Sequence, residues 1–251
     1  MMLIDNAYYQ CQYCLAVQEV EYATSGSTFN VTYWTDCFMH TPLWIDKPKI
    51  IKCWNCGKLH WVEDLPEYTG EKDNWYHTDR KQSAGFKINP DMPMWKDYDK
   101  LSQDDYHYIL DNRLFRGTMN EQEVRLQAFW ARNDKYRYPV GWFDYTEYIP
   151  GEQENKIIEV GPRVKDPNEG NLENATQREI DNIEALLAMI VTANNEESKF
   201  LQVELLRELG RFEEAILLLD SIPPDVENDD VITNAQRGFC MESCTCVREV
   251  E

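Results

Sequence analysis

Two cysteine pairs carry the clearest chemistry in this chain, Cys11-Gln12-Tyr13-Cys14 and Cys53-Trp54-Asn55-Cys56. A zinc ion takes four ligands at tetrahedral angles, with thiolates at ~2.3 Å, and two residues between cysteines let one tight turn offer both sulfurs to the same ion. Gly57 follows the second pair and suits such a turn, because glycine adopts positive φ without steric cost. Cys11, Cys14, Cys53 and Cys56 are therefore the expected ligands of one structural zinc ion. Paired knuckles are commonly ~15–20 residues apart. Here residues 15–52 number 38, which is room for an inserted hairpin. Neither pair opens a helix in a βαβ setting, which argues against a thioredoxin-like redox role. The plainer alternative is two separate pairs of buried, reduced thiols.

The other reactive side chains point to less. Cys240, Cys244 and Cys246 stand near the C-terminus, and with Cys37 they invite a second metal site. Chain ends are commonly mobile, so the simpler expectation is ordinary thiols on a frayed tail. His60 lies on the strand after the second knuckle. If Leu59 points inward, His60 points to the surface. The acidic pairs Glu196-Glu197, Glu213-Glu214 and Asp229-Asp230 fall on solvent faces or at helix starts, where a carboxylate favours the dipole. No phosphate-binding glycine loop, G-x-S-x-G, H-E-x-x-H or Cys/His nucleophile signature is present. The chain reads as a non-enzyme. A metal-dependent hydrolase or transferase is the alternative, and it requires His60 or water to take one place in the metal shell.

These residues need elements to position them. The fold class expected is α+β, with a small β zinc-ribbon-like N-terminal module followed by an α-helical, tetratricopeptide-like C-terminal module. Thr28–Trp34, Lys49–Cys53 and Leu59–Val62 read as strands, and 67–95 as a long loop. Trp34, Trp44, Trp54 and Trp61 are expected to supply core around the small sheet. From residue 97 the period becomes helical. Ser102 to Asp105 and Thr176 to Glu179 resemble capping boxes, and Thr118 to Glu121 opens another helix. Asn194 to Glu197 opens the helix that Gly210 ends, and a last helix spans 229 to about 237. The expected organisation is 1–95 for the β module with its loop, 96–150 for a helical pair, 151–174 for a connection with a short strand at 156–160, and 175–251 for the helical hairpin module with its tail.

Charge restricts the partners. Lys and Arg number 25 against 45 Asp and Glu, a formal net charge of −20. Residues 151–251 alone hold 23 acidic and 9 basic side chains. Such a chain repels phosphate backbones and anionic membrane surfaces, so neither nucleic acid nor membrane is expected as a partner. A protein with a basic surface is. The residues expected to meet it are Glu196, Glu197, Glu213, Glu214, Asp225, Glu227, Asp229 and Asp230. One biological form of that reading is an acidic immunity or antitoxin-type protein covering a basic toxin. The first residues, Met1 to Ala7, carry no basic region and no long apolar run. The expectation is a cytoplasmic protein with reduced thiols.

Two resemblances follow from particular segments. Leu205 to Asp220 resembles the core of a tetratricopeptide hairpin, with Gly210 at the inter-helix glycine, Phe212 at the aromatic and Ala215 at the small crossing residue. One such hairpin without a recurring period is a packed pair, not a peptide-binding array. The whole chain resembles a group of uncharacterised bacterial proteins that join a four-cysteine zinc-ribbon-like N-terminal region to a tetratricopeptide-like helical C-terminal region. The segments that carry it are Tyr33 to Asp36, Lys52 to Gly57 with Trp61-Val62, Leu126 to Asp134, and Glu204 to Ala215. In that group a glycine usually follows the Tyr-Trp-Thr-Asp run, where this chain has Cys37. The resemblance implies the architecture and the four metal-ligating cysteines. It implies no activity, so the role expected is that of a zinc-containing protein-binding or scaffold module.

Overall fold

A computed structural model describes residues 3–25, 32–40, 46–69, 96–97, 101–137, 172–193, 198–222, 229–247 and 249–250. The fold is α+β, with short strands in the N-terminal part and six helices after them among the described residues. The chain divides into two compact units. One comprises residues 1–32 and 40–105, the other 33–39 and 106–251.

In the first unit, strands β1 (Leu3–Gln10) and β2 (Val17–Ser25) form an antiparallel hairpin from Gln10 opposite Val17 outward. β7 (Glu67–Thr69) pairs antiparallel on the outer edge of β1, and β8 (Lys96–Asp97) pairs parallel on β2. β5 (Ile50–Lys52) and β6 (Leu59–Trp61) make a second, two-stranded ladder with Ile51 opposite His60. The hairpin of β1 and β2 is absent from the sequence reading for a physical reason. Residues 7–10 and 17–20 are buried without interruption, so both faces of these strands are covered and the two-residue alternation that marks a half-buried strand disappears. The apolar core here is built by Ala7, Tyr9, Val20, Ile51, Val62 and Leu65. The tryptophans do not gather around it as expected. Trp34 belongs to the other unit, Trp54 packs on the cysteines, Trp61 is half-buried, and Trp44 lies outside the described residues. The fully buried aromatics are Tyr8 and Tyr9 instead.

The second unit is helical. It contains most of α1 (Gln103–Asp111), then α2 (Glu121–Arg137), α3 (Gln177–Ala193), α4 (Lys199–Glu208), α5 (Phe212–Asp220) and α6 (Asp229–Met241). Both expected capping boxes form. The Ser102 N–H donates to Asp105 Oδ2 at 2.9 Å and the Asp105 N–H returns to Ser102 Oγ at 3.3 Å. The Thr176 N–H donates to Glu179 Oε2 at 2.7 Å and the Glu179 N–H to Thr176 Oγ1 at 3.3 Å. α2 begins two residues later than the run at Thr118 suggests, because Asn120 is its cap and accepts from the Glu123 N–H at 2.9 Å. Gly210, at φ 71°, ends α4 by a Schellman closure, with its own N–H on the Arg207 carbonyl and the Arg211 N–H on the Leu206 carbonyl, both at 2.9 Å. α4 and α5 then pack as the hairpin read from the sequence, with Ala215 fully buried between them and Phe129, Leu186, Ile190 and Val203 in the same core. The starts read at Asn194 and the strand at 156–160 lie outside the described residues. α6 runs about one turn past the expected end, and Cys240 on that turn is buried.

The hairpin inserted between the knuckles exists, but its partner is distant in sequence. β3 (Thr32–Trp34) lies between β4 (Met39–His40) and β9 (Glu249–Val250), with Tyr33 opposite Val250. Its turn is closed by the Cys37 N–H on the Trp34 carbonyl and the Trp34 N–H on the Phe38 carbonyl, both at 3.0 Å. Cys37 sits at φ 59°, the left-handed region that glycine occupies without strain. For a side-chain-bearing residue the conformation costs roughly 1–2 kcal/mol, and glycine's greater unfolded-state freedom offsets about half of that. Cys37→Gly is expected to raise stability by up to about 1 kcal/mol, read as a higher urea midpoint at unchanged slope. A midpoint that is unchanged or lower would show that the turn is not strained.

Candidate metal centre

Each knuckle is a tight turn leaving a strand end. In the first, the Cys11 N–H donates to the Ala16 carbonyl at 2.9 Å and the Leu15 N–H to the Cys11 carbonyl at 3.0 Å. In the second, the Cys53 N–H donates to the Lys58 carbonyl at 2.9 Å and the Gly57 N–H to the Cys53 carbonyl at 2.8 Å. The two turns repeat one hydrogen-bond pattern, with Leu15 at φ 64° where the second has Gly57 at φ 69°. Gln10 braces the first through its Nε2 on the Leu15 carbonyl at 3.1 Å. Trp54 ties the second to the strand after the first, donating its indole N–H to the Val17 carbonyl at 2.9 Å.

This geometry brings Cys11, Cys14, Cys53 and Cys56 together, with all four sulfurs within 4.8 Å of one another. Cys11 and Cys56 sulfurs are 3.7 Å apart and those of Cys14 and Cys53 3.6 Å. A tetrahedron of sulfurs ~2.3 Å from a central ion has edges of about 3.8 Å, so the donor set fits a tetrahedral thiophilic ion. The four cysteines form a group that can hold a metal ion. Among the described residues no other His, Cys or carboxylate group of three or more meets that condition. Burial pushes the Cys11 and Cys53 thiols up. Burial also opposes ionisation of Cys14, but hydrogen bonds from Asn55 and the Ala16 backbone outweigh it and bring that thiol down to about 7. A dication at the centre favours the thiolate at all four positions.

His60 does not face solvent as its strand position suggested. It is 7 % exposed, and its Nε2 lies 3.2 Å from Cys11 Sγ. The register explains this. His60 stands opposite Ile51, which is fully buried, so the two share the inward face of their ladder. Desolvation lowers its pKa, which favours the neutral imidazole. In the tautomer protonated at Nε2, the ring donates to the sulfur and supports that cysteine. No protein-family model, curated protein or solved structure matches this chain.

The residues expected to meet a partner are spread differently. Glu213 and Glu214 are exposed on the first turn of α5, and Arg211 holds Glu214 at 2.6 Å. Asp229 and Asp230 open α6. Glu196, Glu197, Asp225 and Glu227 lie outside the described residues.

A second polar cluster, unforeseen from the sequence, is buried in the helical unit. Arg207 is fully buried and pairs with Glu204, Nε to Oε2 at 2.9 Å and Nη2 to Oε1 at 2.5 Å. Its guanidinium also donates to Thr35 Oγ1 at 3.2 Å and to the Cys244 carbonyl, and lies 5.7 Å from the Phe239 ring centre. Alongside, Arg132 donates to Glu208 Oε2 at 2.7 Å, and Asn133 bridges Glu208 Oε1 at 2.9 Å and Asp36 Oδ2 at 3.0 Å. Glu179 lies 3.8 Å from Arg132. Three segments distant in sequence thus converge here through Thr35-Asp36, Arg132-Asn133 and Glu204 to Glu208. The single signal in the sequence was charged residues on a helix, α4, whose other neighbours are apolar.

Four carboxylates against two guanidinium groups leave this cluster short of positive charge. Burial raises the Glu208 pKa to about 8. Arg132 opposes the shift, Glu204 reinforces it, Arg207 opposes it and Asp36 reinforces it. A carboxyl whose folded pKa exceeds its unfolded value of about 4.3 binds its proton more tightly when folded. Its contribution to stability is complete below that unfolded value and is lost as pH rises toward about 8. The wild type is expected to lose stability between about pH 5 and pH 8, by at most about 1.4 kcal/mol per pH unit from this group. Glu208→Gln should flatten that slope in urea titrations across the range. Equal slopes in the two proteins would show that Glu208 is ionised throughout.

Proposed function

We propose that the four-cysteine group is a structural zinc site and that the chain acts, without chemistry of its own, as a protein-binding or scaffold module. The observation that carries the first part is the set of sulfur separations, 3.6 and 3.7 Å, contributed by two matched knuckles. Four protein sulfurs occupy every corner of a tetrahedral shell. This arrangement favours a closed structural centre over a hydrolytic one, which keeps an open position for water. Zinc fits a site of four thiolates without redox demands, and the knuckles then serve to cross-link the ends of β1, β2, β5 and β6.

The second part rests on charge. A surface with this excess of carboxylates attracts a protein with a basic face and repels nucleic acid. Glu213 and Glu214 are the members of the expected set that are exposed among the described residues, on the first turn of α5. No helix among the described residues is long and apolar enough to cross a membrane.

Elemental analysis of the purified chain is expected to find about one zinc per chain, and Cys53→Ser to abolish it. Chelation should melt the β unit, because metal binding in such small modules, worth ~10–16 kcal/mol in zinc peptides, is largely folding free energy. Unchanged thermal stability after complete metal removal would defeat the structural role, and iron in place of zinc would correct the identity of the ion.

A separate measurement tests the partner. The immobilised chain is expected to retain specific basic proteins at low salt and to release them as salt rises. Glu213→Lys should lower that retention while leaving the melting temperature nearly unchanged, since an exposed charge contributes little to stability. Retention indifferent to both salt and charge reversal would reduce the acidity to a solubility feature.

A further inference from the structure

The three C-terminal cysteines do not hang on a frayed end. α6 closes with the Ser243 N–H on the Cys240 carbonyl at 3.1 Å and the Cys244 N–H on the Phe239 carbonyl at 2.9 Å, with Ser243 at φ 53°. This is a second Schellman closure, and it turns the chain back against the helices. Thr245, Cys246 and Val247 are buried there. Two bonds pin the strap on either side of its peptide link. Arg207 donates to the Cys244 carbonyl, and the Leu172 N–H donates to Thr245 Oγ1 at 2.9 Å.

We propose that Cys244 and Cys246 are a redox-active dithiol that closes reversibly into an intramolecular disulfide. Their sulfurs are 3.3 Å apart, closer than the Cys11–Cys56 and Cys14–Cys53 pairs. No third His, Cys or carboxylate joins them within reach of a common ion among the described residues, so the pair lacks the donor set of a metal site. Cys244 is half-buried and Cys246 buried, which places an accessible attacking sulfur against a sheltered resolving one.

With a hydroperoxide as oxidant the step balances. The Cys244 thiolate attacks one peroxide oxygen, the S–O bond forms as the O–O bond breaks, and the leaving oxygen takes a proton. The Cys246 sulfur then attacks the sulfenic sulfur, the S–S bond forms, the S–O bond breaks, and the hydroxide departs as water. Two thiols lose two electrons and two protons, and the peroxide is reduced to water. The ring closed around Thr245 alone is small, and constrained disulfides are the readily reduced ones. The Cys244 carbonyl on Arg207 and the Thr245 hydroxyl on Leu172 hold the segment whose sulfurs the bond would join.

The test uses the full, metal-loaded chain treated with equimolar hydrogen peroxide, then alkylated and digested. Trypsin releases Gly238–Arg248 with all three tail cysteines, so a Cys240→Ser chain is run beside the wild type. In both, the expected product is that peptide lighter by two hydrogens, unalkylated at positions 244 and 246, and restored to the alkylated form by dithiothreitol. Cys246→Ser should remove this product completely and leave Cys244 as the sulfenic acid, captured by dimedone added with the peroxide. The wild-type map decides the matter even if a variant misfolds. Tail thiols that stay alkylated while the knuckle cysteines oxidise overturn the proposal, as does a disulfide that needs Cys240.

Discussion

Four sulfurs meet at the ends of the ladders of the β unit, and both knuckle turns are built around that point. Among the described residues its apolar cluster around Tyr9 and Ile51 is small, and strands held by a core of that size gain from a further link. The cysteines close the two turns at one point. Cys11 and Cys53 are buried, and Trp54 covers them while reaching back to the Val17 carbonyl. Both knuckles use the same backbone turn, at the expense of a left-handed Leu15 in the first. His60 belongs to the same construction. It is on the inward side of β6 because Ile51 is, and its ring meets the sulfur of Cys11.

The helical unit is organised by an interaction of a different kind. Arg207 has lost all contact with water and is matched by Glu204, Thr35, the Cys244 carbonyl and the face of Phe239. Isolated buried charge is costly, and a guanidinium tolerates burial when its fork of donors is satisfied. Those partners come from the turn at 35–36, from α4 and from the C-terminal strap, so one side chain specifies where three separate pieces of chain must lie. The neighbouring cluster of Arg132, Asn133, Asp36 and Glu208 does the same for α2. Apolar packing between α3, α4 and α5 supplies attraction without direction, whereas these polar contacts allow few alternative arrangements.

The two clusters make different demands on their surroundings. The thiols lie at strand ends, where Cys56 remains exposed and Cys14 half-exposed, so the group is open to an entering ion. The carboxylates of the helical unit are sealed, and burial drives Glu208 toward its neutral form. The acidic character of the chain is therefore divided between exposed groups such as Glu213, which set its long-range field, and buried groups that set its packing.

Local chemistry was readable from the sequence alone. The knuckle cysteines, the two capping boxes, the Gly210 stop and the α4–α5 hairpin all obey rules spanning a few residues, and each stands where those rules place it. The residues expected to meet a partner remain a matter of charge, since half of them lie outside the described residues. What the sequence could not show depends on contacts between distant residues. β1 and β2 lose their alternation because both faces are covered. His60 faces inward because of its cross-strand partner, and Cys37 takes a glycine conformation because β3 turns sharply back into β4. Cys244 and Cys246 are docked because Arg207 and Leu172 hold the strap between them. A capping box needs four consecutive residues, but a buried guanidinium needs partners from positions 35, 204 and 244, and only the folded chain brings those together.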